Sequence, residues 1–376
     1  MEKFIVVGAG ILGASTAYHL SEAGAEVTLL DRKDNGQATK AAAGIVCPWL
    51  SQRRNKAWYT LVKGGARYYP SLIKKLEAAG ETNTGYRRVG AISLHTDEKK
   101  LEKMVERAMK RRKDAPEIGE VTRLSAGETK ALFPPLSEDF ASVHVSGAAR
   151  VNGRALRKAL INSAKKNGVD FLEGDAGLVH QGNRVTGVKY NDNSIEADQV
   201  ILTTGAWSKE LLQPLGWEFK LSSQRAQIIH LEILDVDTSE WPVVMPPNNQ
   251  YLLSFEGGRV VVGATHEDDV GFDYRVTAGA VHEILDKALQ IAPGLHDSTI
   301  HEIKVGFRPF TPGFLPIIGP VPDVEGLLIA NGLGASGLTS GPYLGSELAK
   351  LALGQPLELD ILDYDVSVAM EKNDWL

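Results

Sequence analysis

The stretch Gly8-Ala9-Gly10-Ile11-Leu12-Gly13 decides the fold of the N-terminal part of this chain. It follows an apolar run at residues 4–7 and precedes residues 14–23, whose apolar side chains have helical spacing. A second apolar run at residues 26–30 is followed by Asp31. A GxGxxG turn between a strand and a helix, with an acid at the end of the next strand, predicts a βαβ unit that binds a dinucleotide.

The three glycines and Asp31 each have a physical role in such a unit. The first glycine permits the tight turn, the second lets a pyrophosphate approach the backbone, and the third lets the helix pack closely on the strand. The phosphates then lie at the helix N-terminus, where unpaired N–H groups favour negative charge. A carboxylate at Asp31 accepts hydrogen bonds from ribose hydroxyls and disfavours a 2′-phosphate, which excludes NADP more firmly than it separates NAD from FAD.

Composition and charge limit the classes of function. The chain has 376 residues, 43% hydrophobic and 23% charged, so we expect a folded, soluble chain of two to three domains. Its 41 basic and 47 acidic residues give a net charge of −6, which argues against a nucleic-acid partner. Cys47 is the only cysteine, which excludes an intrachain disulfide and favours the cytoplasm. We expect no signal peptide and no transmembrane segment.

Apolar periodicity predicts the remaining elements. Helices are expected at residues 58–79, 98–112, 153–166, 277–291 and 338–353, and strands at residues 90–95, 169–172, 177–180, 184–190, 200–203 and 326–330. The strands between residues 169 and 203 are interpreted as a return of the parallel sheet. Alternating runs at residues 221–262 predict a mostly antiparallel sheet that covers a substrate.

A second glycine turn, at residues 332–337, also lies between a predicted strand and a predicted helix. No strand ending in an acid follows that helix, so a second ribose site is disfavoured. The positive end of the helix could instead face the N1/C2 carbonyl edge of a flavin, where negative charge accumulates on reduction. The alternative is that these glycines only ease the packing of helix on strand.

Taken together, these motifs resemble those of the FAD-dependent D-amino acid oxidase superfamily, in the branch of glycine oxidases, sarcosine oxidases and D-amino acid dehydrogenases. Besides the first turn and Asp31, the resemblance rests on residues 38–44, 203–208, 306–309, 315–319 and 332–339, and it spans nearly the whole chain. It implies an α/β plus α+β fold with a Rossmann-type, GR2-like FAD-binding domain. This domain would comprise residues 1–85, 145–220 and 305–376, and a sheet-rich substrate-binding domain residues 86–144 and 221–304.

The resemblance also implies which residues contact FAD. Sarcosine oxidases with covalent flavin carry a cysteine near the segment that corresponds to residues 306–319, and this chain has none there, so FAD is expected to bind non-covalently. The implied contacts are Gly8, Gly10, Ile11, Leu12, Gly13, Asp31, Arg32, Thr39, Lys40, Ala42, Ala43, Gly44, Ile45, Gly177, Thr204, Gly205, Trp207, Gly306, Gly334, Ala335, Ser336, Gly337, Leu338 and Thr339.

Three further residues are implied on the substrate side. Arg308, in a Gly-x-Arg-Pro motif, would bind the substrate carboxylate bidentately, or form a salt bridge between domains. Tyr251 would assist carboxylate binding, or be a half-buried sheet tyrosine. His266 would face the substrate, or lie in a loop. No metal is expected, because no histidines have the spacing of a metal site.

The implied activity is oxidation of the CH–N bond of a small amino acid or amine, such as glycine, sarcosine or a D-amino acid, by hydride transfer to flavin N5. Dioxygen or another electron carrier would be the second partner. Ala335 replaces a bulkier residue of some glycine oxidases, so strict specificity for glycine is not expected. Three alternatives stay open: a dehydrogenase of the same fold that reduces a quinone, an FAD monooxygenase, and a non-catalytic flavoprotein subunit. Formation of a homo-oligomer is also left open.

Overall fold

Helices and strands alternate through most of the chain. The structure is a computed structural model that describes residues 2–372. Within those residues the helices are α1 (Ile11–Glu22), α2 (Ala38–Ala41), α3 (Lys56–Ala78), α4 (Glu98–Arg112), α5 (Ala126–Leu132), α6 (Gly153–Lys166), α7 (Ser208–Leu212), α8 (Ala278–Ile291) and α9 (Gly337–Ala352). The strands are β1 (Lys3–Val7), β2 (Glu26–Asp31), β3 (Ile45–Val46), β4 (Ala91–His95), β5 (Val121–Leu124), β6 (Ala141–Val145), β7 (Ala149–Arg150), β8 (Asp170–Glu173), β9 (Ala176–Gln181), β10 (Arg184–Tyr190), β11 (Asn193–Glu196), β12 (Gln199–Leu202), β13 (Trp217–Phe219), β14 (Ser222–Glu232), β15 (Val243–Met245), β16 (Tyr251–Ser254), β17 (Arg259–Gly263), β18 (Thr299–Phe310), β19 (Ile317–Pro320), β20 (Leu327–Asn331) and β21 (Met370–Lys372).

Six strands form a sheet in the order β19-β20-β12-β1-β2-β8. The pairings of β1 with β2 and β12, of β2 with β8, and of β12 with β20 are parallel. Alternate residues of β1 enter different cores: Phe4 and Val6 join the cluster that contains α1, α6 and α9, whereas Ile5 and Val7 join the cluster on the other face. Because parallel strands end at the same edge, the turns that follow β1, β12 and β20 come together.

The chain between residues 176 and 196 forms a separate antiparallel sheet, β11-β10-β9. The interpretation of residues 169–203 as parallel sheet is therefore wrong for β9 and β10, and it is confirmed for β8 and β12, which join the six-stranded sheet. The connections explain the difference. Only two residues separate β9 from β10, and only two separate β10 from β11, whereas a parallel pairing needs a crossover of about a dozen residues or more.

Eight strands form the second large sheet, in the order β18-β14-β17-β16-β15-β4-β6-β5. All its pairings are antiparallel except that of β15 with β4, so the expected mostly antiparallel sheet is confirmed. Helix α8 covers one face and shares a core with β14 and β17. The longest pairing, between β14 and β18, places Gln224 opposite Arg308 and ends at Ser222 opposite Phe310.

The helices at residues 98–112 and 153–166 have the predicted limits. Helix α3 begins at Lys56 and not at residue 58, because the Asn55 side chain accepts a hydrogen bond from the backbone N–H of Trp58 at 2.8 Å and caps the helix. Within residues 2–372, no helix is both long enough and apolar enough to cross a lipid bilayer. The limits proposed for the two domains stay a prediction.

Candidate cofactor and substrate site

A single cavity of about 430 Å³ is lined by residues from both large sheets. The turns after β1, β12 and β20 contribute one part of its wall, and β14, β16 and β18 contribute another. Most of the residues expected to contact FAD line this cavity, as do Tyr251 and Arg308. Five of the predicted site residues do not line the cavity: Gly13, Lys40, Ser336, Thr339 and His266.

The glycine turn after β1 brings bare backbone to the cavity. Gly8 has a φ of +95°, a conformation that favours glycine, and a Cβ on Gly13 would overlap the carbonyl oxygen of Gly8. Gly13 therefore serves the close packing of α1 on the turn and not the cavity wall. Helix α1 has no side-chain cap at Gly10, and only the N–H of Ile11 is bonded to a side chain, that of Thr39 at 2.9 Å. The N-terminus of α1 is thus available to a negatively charged group.

The Asp31 carboxylate is 3% exposed and is held by four hydrogen bonds. Oδ2 accepts from the Ala9 N–H at 2.9 Å and from Arg157 Nη2 at 3.2 Å, while Oδ1 accepts from the Lys33 N–H at 2.6 Å and from Gln37 Nε2 at 2.8 Å. The carboxylate is therefore fixed in one orientation at the cavity wall.

Sequence reasoning missed both side chains that hold Asp31. Gln37 is six residues away and also lines the cavity, whereas Arg157 comes from α6, 126 residues along the chain. Arg157 also donates from Nε to the carbonyl oxygen of Ala9, so it fixes the glycine turn as well as the acid. No local pattern in the sequence points to a residue so far away.

The second glycine turn places the N-terminus of α9 at the same cavity. Gly334, Ala335, Gly337 and Leu338 line the wall, and the helix has no side-chain cap at Ser336. Asn331 joins this turn to the turn after β12, because its Nδ2 donates to the Gly205 carbonyl oxygen at 2.9 Å. Two uncapped helix ends therefore meet one cavity, and each favours a ligand atom that carries negative charge.

Arg308 and Tyr251 lie at the end of the cavity formed by the eight-stranded sheet. Arg308 Nη1 donates to Gln224 Oε1 at 3.2 Å, and Gln224 Nε2 donates to Asp268 Oδ1 at 3.0 Å. Within residues 2–372, Arg308 forms no ion pair with a carboxylate, so the alternative of a salt bridge between domains has no support. Gln224 is a further residue that the sequence analysis missed.

The environment shifts the pKa values of Arg308, Tyr251 and His266. Burial lowers the pKa of Arg308, but an arginine stays protonated at neutral pH because its ordinary pKa is above 12. Burial raises the pKa of the Tyr251 phenol, which keeps it neutral, while nearby Arg308 acts in the opposite direction. Burial, and then the charge of Arg308, lower the pKa of His266, so its imidazole is neutral at pH 7.

The residues present can hold a dinucleotide but show no place for a metal. The cavity extends from the buried acid at Asp31, past two uncapped helix ends, to an arginine without a carboxylate partner. Among residues 2–372, no group of three His, Cys, Asp or Glu side chains is arranged to hold a metal ion. Cys47 is buried, and burial raises the pKa of its thiol to about 12, as for a core residue.

Comparisons with known proteins show the family and the fold. Residues 3–351 match the family described as DAO, FAD dependent oxidoreductase. The chain is 62% identical to the uncharacterised oxidoreductase YurR of Bacillus subtilis over 98% of its length and 100% of the relative. It is 31% identical to the glycine oxidase of Pseudomonas aeruginosa, covering 96% of this chain and 98% of that protein. The crystal structure of iminodiacetate oxidase from Chelativorans sp. BNC1 superimposes with a TM-score of 0.94 at 47% identity, covering 96% and 98% of the two chains.

Proposed function

This chain belongs to the DAO family of FAD-dependent oxidoreductases, and on that premise we propose that it oxidises the CH–N bond of a small amino acid or N-substituted amino acid. The observation that carries the proposal is Arg308, a guanidinium inside the cavity with Gln224 and no carboxylate beside it. A planar guanidinium binds a carboxylate through two parallel hydrogen bonds, which fixes both position and orientation. An amino acid offers a carboxylate one carbon away from the bond to be oxidised.

Non-covalent FAD fits the rest of the cavity. Asp31 would accept hydrogen bonds from the ribose, and the glycine turn with the N-terminus of α1 would hold the pyrophosphate. The N-terminus of α9 would lie beside the part of the ring system where negative charge grows on reduction. When bound, FAD supplies a two-electron oxidant that can take up a hydride.

On the substrate side, the role of this chain's own residues is to bind and orient the substrate. Arg308 would hold the carboxylate, and Gln224 would hold Arg308 in its rotamer. Tyr251, whose pKa is raised by burial, would act as a neutral donor to the same carboxylate and not as a base. His266 is exposed and does not line the cavity, so we assign it no role in proton transfer.

The relatives indicate which amines to test. Iminodiacetate oxidase and glycine oxidase are both named for an amine whose neighbouring carbon carries a carboxylate. We therefore include iminodiacetate, sarcosine and glycine among the candidate substrates, together with D-alanine, D-proline and L-proline. Dioxygen or another electron carrier would accept the electrons afterwards.

The test follows the flavin absorbance of the purified, FAD-loaded protein under anaerobic conditions as each candidate is added. We expect at least one candidate to bleach the flavin. Arg308→Ala should weaken the apparent affinity for that substrate by about a hundredfold or more, because two charged hydrogen bonds are lost. Arg308→Lys keeps the charge but lacks the planar guanidinium, so it should retain only part of the affinity for the substrate.

Readmission of air then separates the two acceptor classes, since an oxidase recovers its flavin absorbance rapidly and a dehydrogenase needs an added carrier. If the FAD-loaded protein is not reduced by any of the six candidates, the proposed substrate class is wrong. Reduction by NADH alone would favour a monooxygenase.

A further inference from the structure

A second cavity, of about 590 Å³, lies apart from the proposed substrate site. Helix α6 contributes one part of its wall, and the eight-stranded sheet contributes another. No residue lines both this cavity and the one that contains Arg308. The titratable side chains of α6 and of the sheet strands that line it are Arg154, Lys158, His230, Arg259, Glu302 and Lys304. The proposed function uses none of them.

The alternation of side chains along the strands turns charged residues of the sheet toward this cavity. On β14, Ile229 belongs to the apolar core that the sheet shares with α8, and on β18 Ile303 packs against the same core. Their neighbours His230, Glu302 and Lys304 therefore lie on the opposite face of the sheet. That face is the one that lines the cavity.

Two of the three carboxylates that line the cavity are paired with cations outside it. Glu81 Oε1 lies 2.8 Å from Lys166 Nζ, and Glu256 Oε1 lies 2.7 Å from Arg150 Nη2. Neither Lys166 nor Arg150 lines the cavity. These two acids therefore do not neutralise the cations of the cavity wall.

The third carboxylate, that of Glu302, is shared between two cations of the wall. Its Oε1 lies 3.0 Å from Lys304 Nζ, and its Oε2 lies 3.7 Å from Arg154 Nη1. Lys158 and Arg259, which also line the cavity, form no ion pair within residues 2–372. One carboxylate thus faces four cations, which leaves an excess of three positive charges in the wall.

His230 lies among these cations with its hydrogen-bonding capacity unused. Its side chain is 8% exposed, and neither ring nitrogen has a hydrogen-bond partner in the part of the chain that the structure describes. Nδ1 is 3.7 Å from Glu302 Oε1, which is too long for a hydrogen bond. Burial first, and then the charge of Lys304, lower the pKa of His230; Arg259 and Arg154 contribute less, and Glu302 acts in the opposite direction. The neutral imidazole is therefore a buried polar group that the protein leaves unsatisfied.

The arrangement of the cations favours a phosphate group. Arg154 and Lys158 are four residues apart and share one face of α6, whereas Arg259 and Lys304 come from two strands of the sheet. Cations on two sides suit a tetrahedral dianion, whose oxygens point in several directions, better than one planar carboxylate. A guanidinium also binds phosphate through two parallel hydrogen bonds. The cavity has a volume typical of small-molecule sites, so an organic group fits beside the phosphate.

We propose that this cavity binds a small phosphorylated molecule, with the phosphate group held between Arg154 and Lys158 on α6 and Arg259 and Lys304 on the sheet. Such a ligand neutralises the excess charge and supplies the acceptors that the wall lacks. It also joins α6 to the sheet. Because the cavity is separate from the proposed substrate site, the proposal does not depend on which amine the enzyme oxidises.

The first test is isothermal titration calorimetry of the FAD-loaded protein with inorganic phosphate at constant ionic strength. Loading with FAD keeps the probe away from the proposed pyrophosphate site at α1. We expect saturable binding of phosphate at one site. Glycerol 3-phosphate should bind at least as tightly as phosphate, and glycerol should not bind, because the phosphate group carries the charge that the wall recognises.

Variants of the wall locate the binding. Arg259→Gln should weaken phosphate binding by about ten- to a hundredfold, and Lys158→Gln by about three- to tenfold, because each removes a charged partner. The matched control is Lys99→Gln, an exposed lysine of α4 that does not line the cavity, which should change the binding by less than about twofold.

A second measurement uses His230 as a local reporter. Its ring Cε1–H resonance in NMR spectra is assigned by its absence in His230→Gln. We expect phosphate to shift this resonance in the parent and in Lys99→Gln, because a bound anion changes the electric field at the ring. At the phosphate concentration that saturates the parent, the shift in Arg259→Gln should be much smaller.

Each outcome supports or overturns the proposal. Absence of phosphate binding to the parent, equal binding by Arg259→Gln, or an unmoved His230 resonance in the parent would overturn it. Loss of binding in Arg308→Ala would place the anion in the proposed substrate site and overturn it too, and malonate binding as tight as that of phosphate would contradict the ligand class. If circular dichroism shows that Arg259→Gln is misfolded, Lys158→Gln at an exposed position decides the question. None of these measurements requires turnover, so they stay decisive if the proposed function fails.

Discussion

Arg308 and Gln224 form the hydrogen-bonded pair on which the substrate end of the cavity depends. Gln224 lies on β14 opposite Arg308 on β18, so the pairing of these two strands sets the distance between the side chains. The amide accepts from Arg308 with its oxygen and donates to Asp268 with its nitrogen. Gln224 is thus a positioning residue, because a neutral acceptor orients the guanidinium without neutralising it.

Gln224→Leu should therefore raise KM for the carboxylate substrate about five- to twentyfold and leave kcat closer to the parent value, because Arg308 loses its orienting bond and keeps its charge. Gln224→Glu should do more damage, since a carboxylate at this position would pair with Arg308 and compete with the substrate. Steady-state kinetics on the FAD-loaded variants measures both. Asp268→Asn, which keeps an acceptor for Gln224, is the control, and a loss there equal to that of Gln224→Leu would contradict the positioning role.

Helix α9 joins the cavity to the C-terminal segment through Glu347. This side chain is fully buried, and its Oε2 accepts from the backbone N–H groups of Glu358 at 2.7 Å and Leu359 at 2.9 Å. Its Oε1 accepts from Lys350 Nζ at 2.7 Å. One carboxylate thus satisfies two backbone donors of a segment that has no regular structure of its own.

Glu347→Ala should lower the free energy of unfolding by about 2–4 kcal/mol, because it leaves two backbone N–H groups without their acceptor and removes one of the two carboxylate partners of Lys350. Glu358→Ala removes only the exposed partner of Lys350 and should cost about 0.5 kcal/mol or less. Denaturant unfolding of both FAD-loaded variants, monitored by circular dichroism, gives the comparison. Equal costs would show that Glu347 contributes only as a surface ion pair.

At the scale of the whole molecule, histidines whose pKa is lowered in the folded chain make stability depend on pH. Burial lowers the pKa of His19, His144 and His266, and burial followed by the charge of Lys304 lowers that of His230 to about 3. Glu302 opposes this at His230, while Arg259 and Arg154 reinforce it. In the unfolded chain these imidazoles titrate near pH 6.5.

The sign of the effect follows from proton binding. Between pH 6.5 and about 3 the unfolded chain binds protons that folded His230 does not, so stability is present above pH 6.5 and is lost as the pH falls. We expect the melting temperature to fall between pH 7 and pH 5, and His230→Gln to reduce that fall by the equivalent of about 1–2 kcal/mol. The exposed His296→Gln is the control, and an unchanged pH slope in His230→Gln would contradict the assignment.

Local patterns predicted the elements that depend on short stretches of chain. The glycine turn, Asp31 and the helices at residues 98–112 and 153–166 follow from spacing within a few turns or strands. The pairing of residues 177–196 was not predicted, because short apolar strands look alike in parallel and antiparallel sheets and only the two-residue connections indicate hairpins. Tyr251 and Arg308 came from the resemblance to a family, since nothing in their spacing brings them together.

The sequence by itself determined the βαβ opening, the two glycine turns and the family, because each depends on residues that are neighbours along the chain or on motifs in a fixed order. Only the tertiary structure decided which side chains complete the site. Arg157 reaches Asp31 from α6, Asn331 joins two turns, and Gln224 orients Arg308. These contacts join residues far apart in the chain, and their geometry is set by how sheets and helices pack, which no periodicity within one segment records.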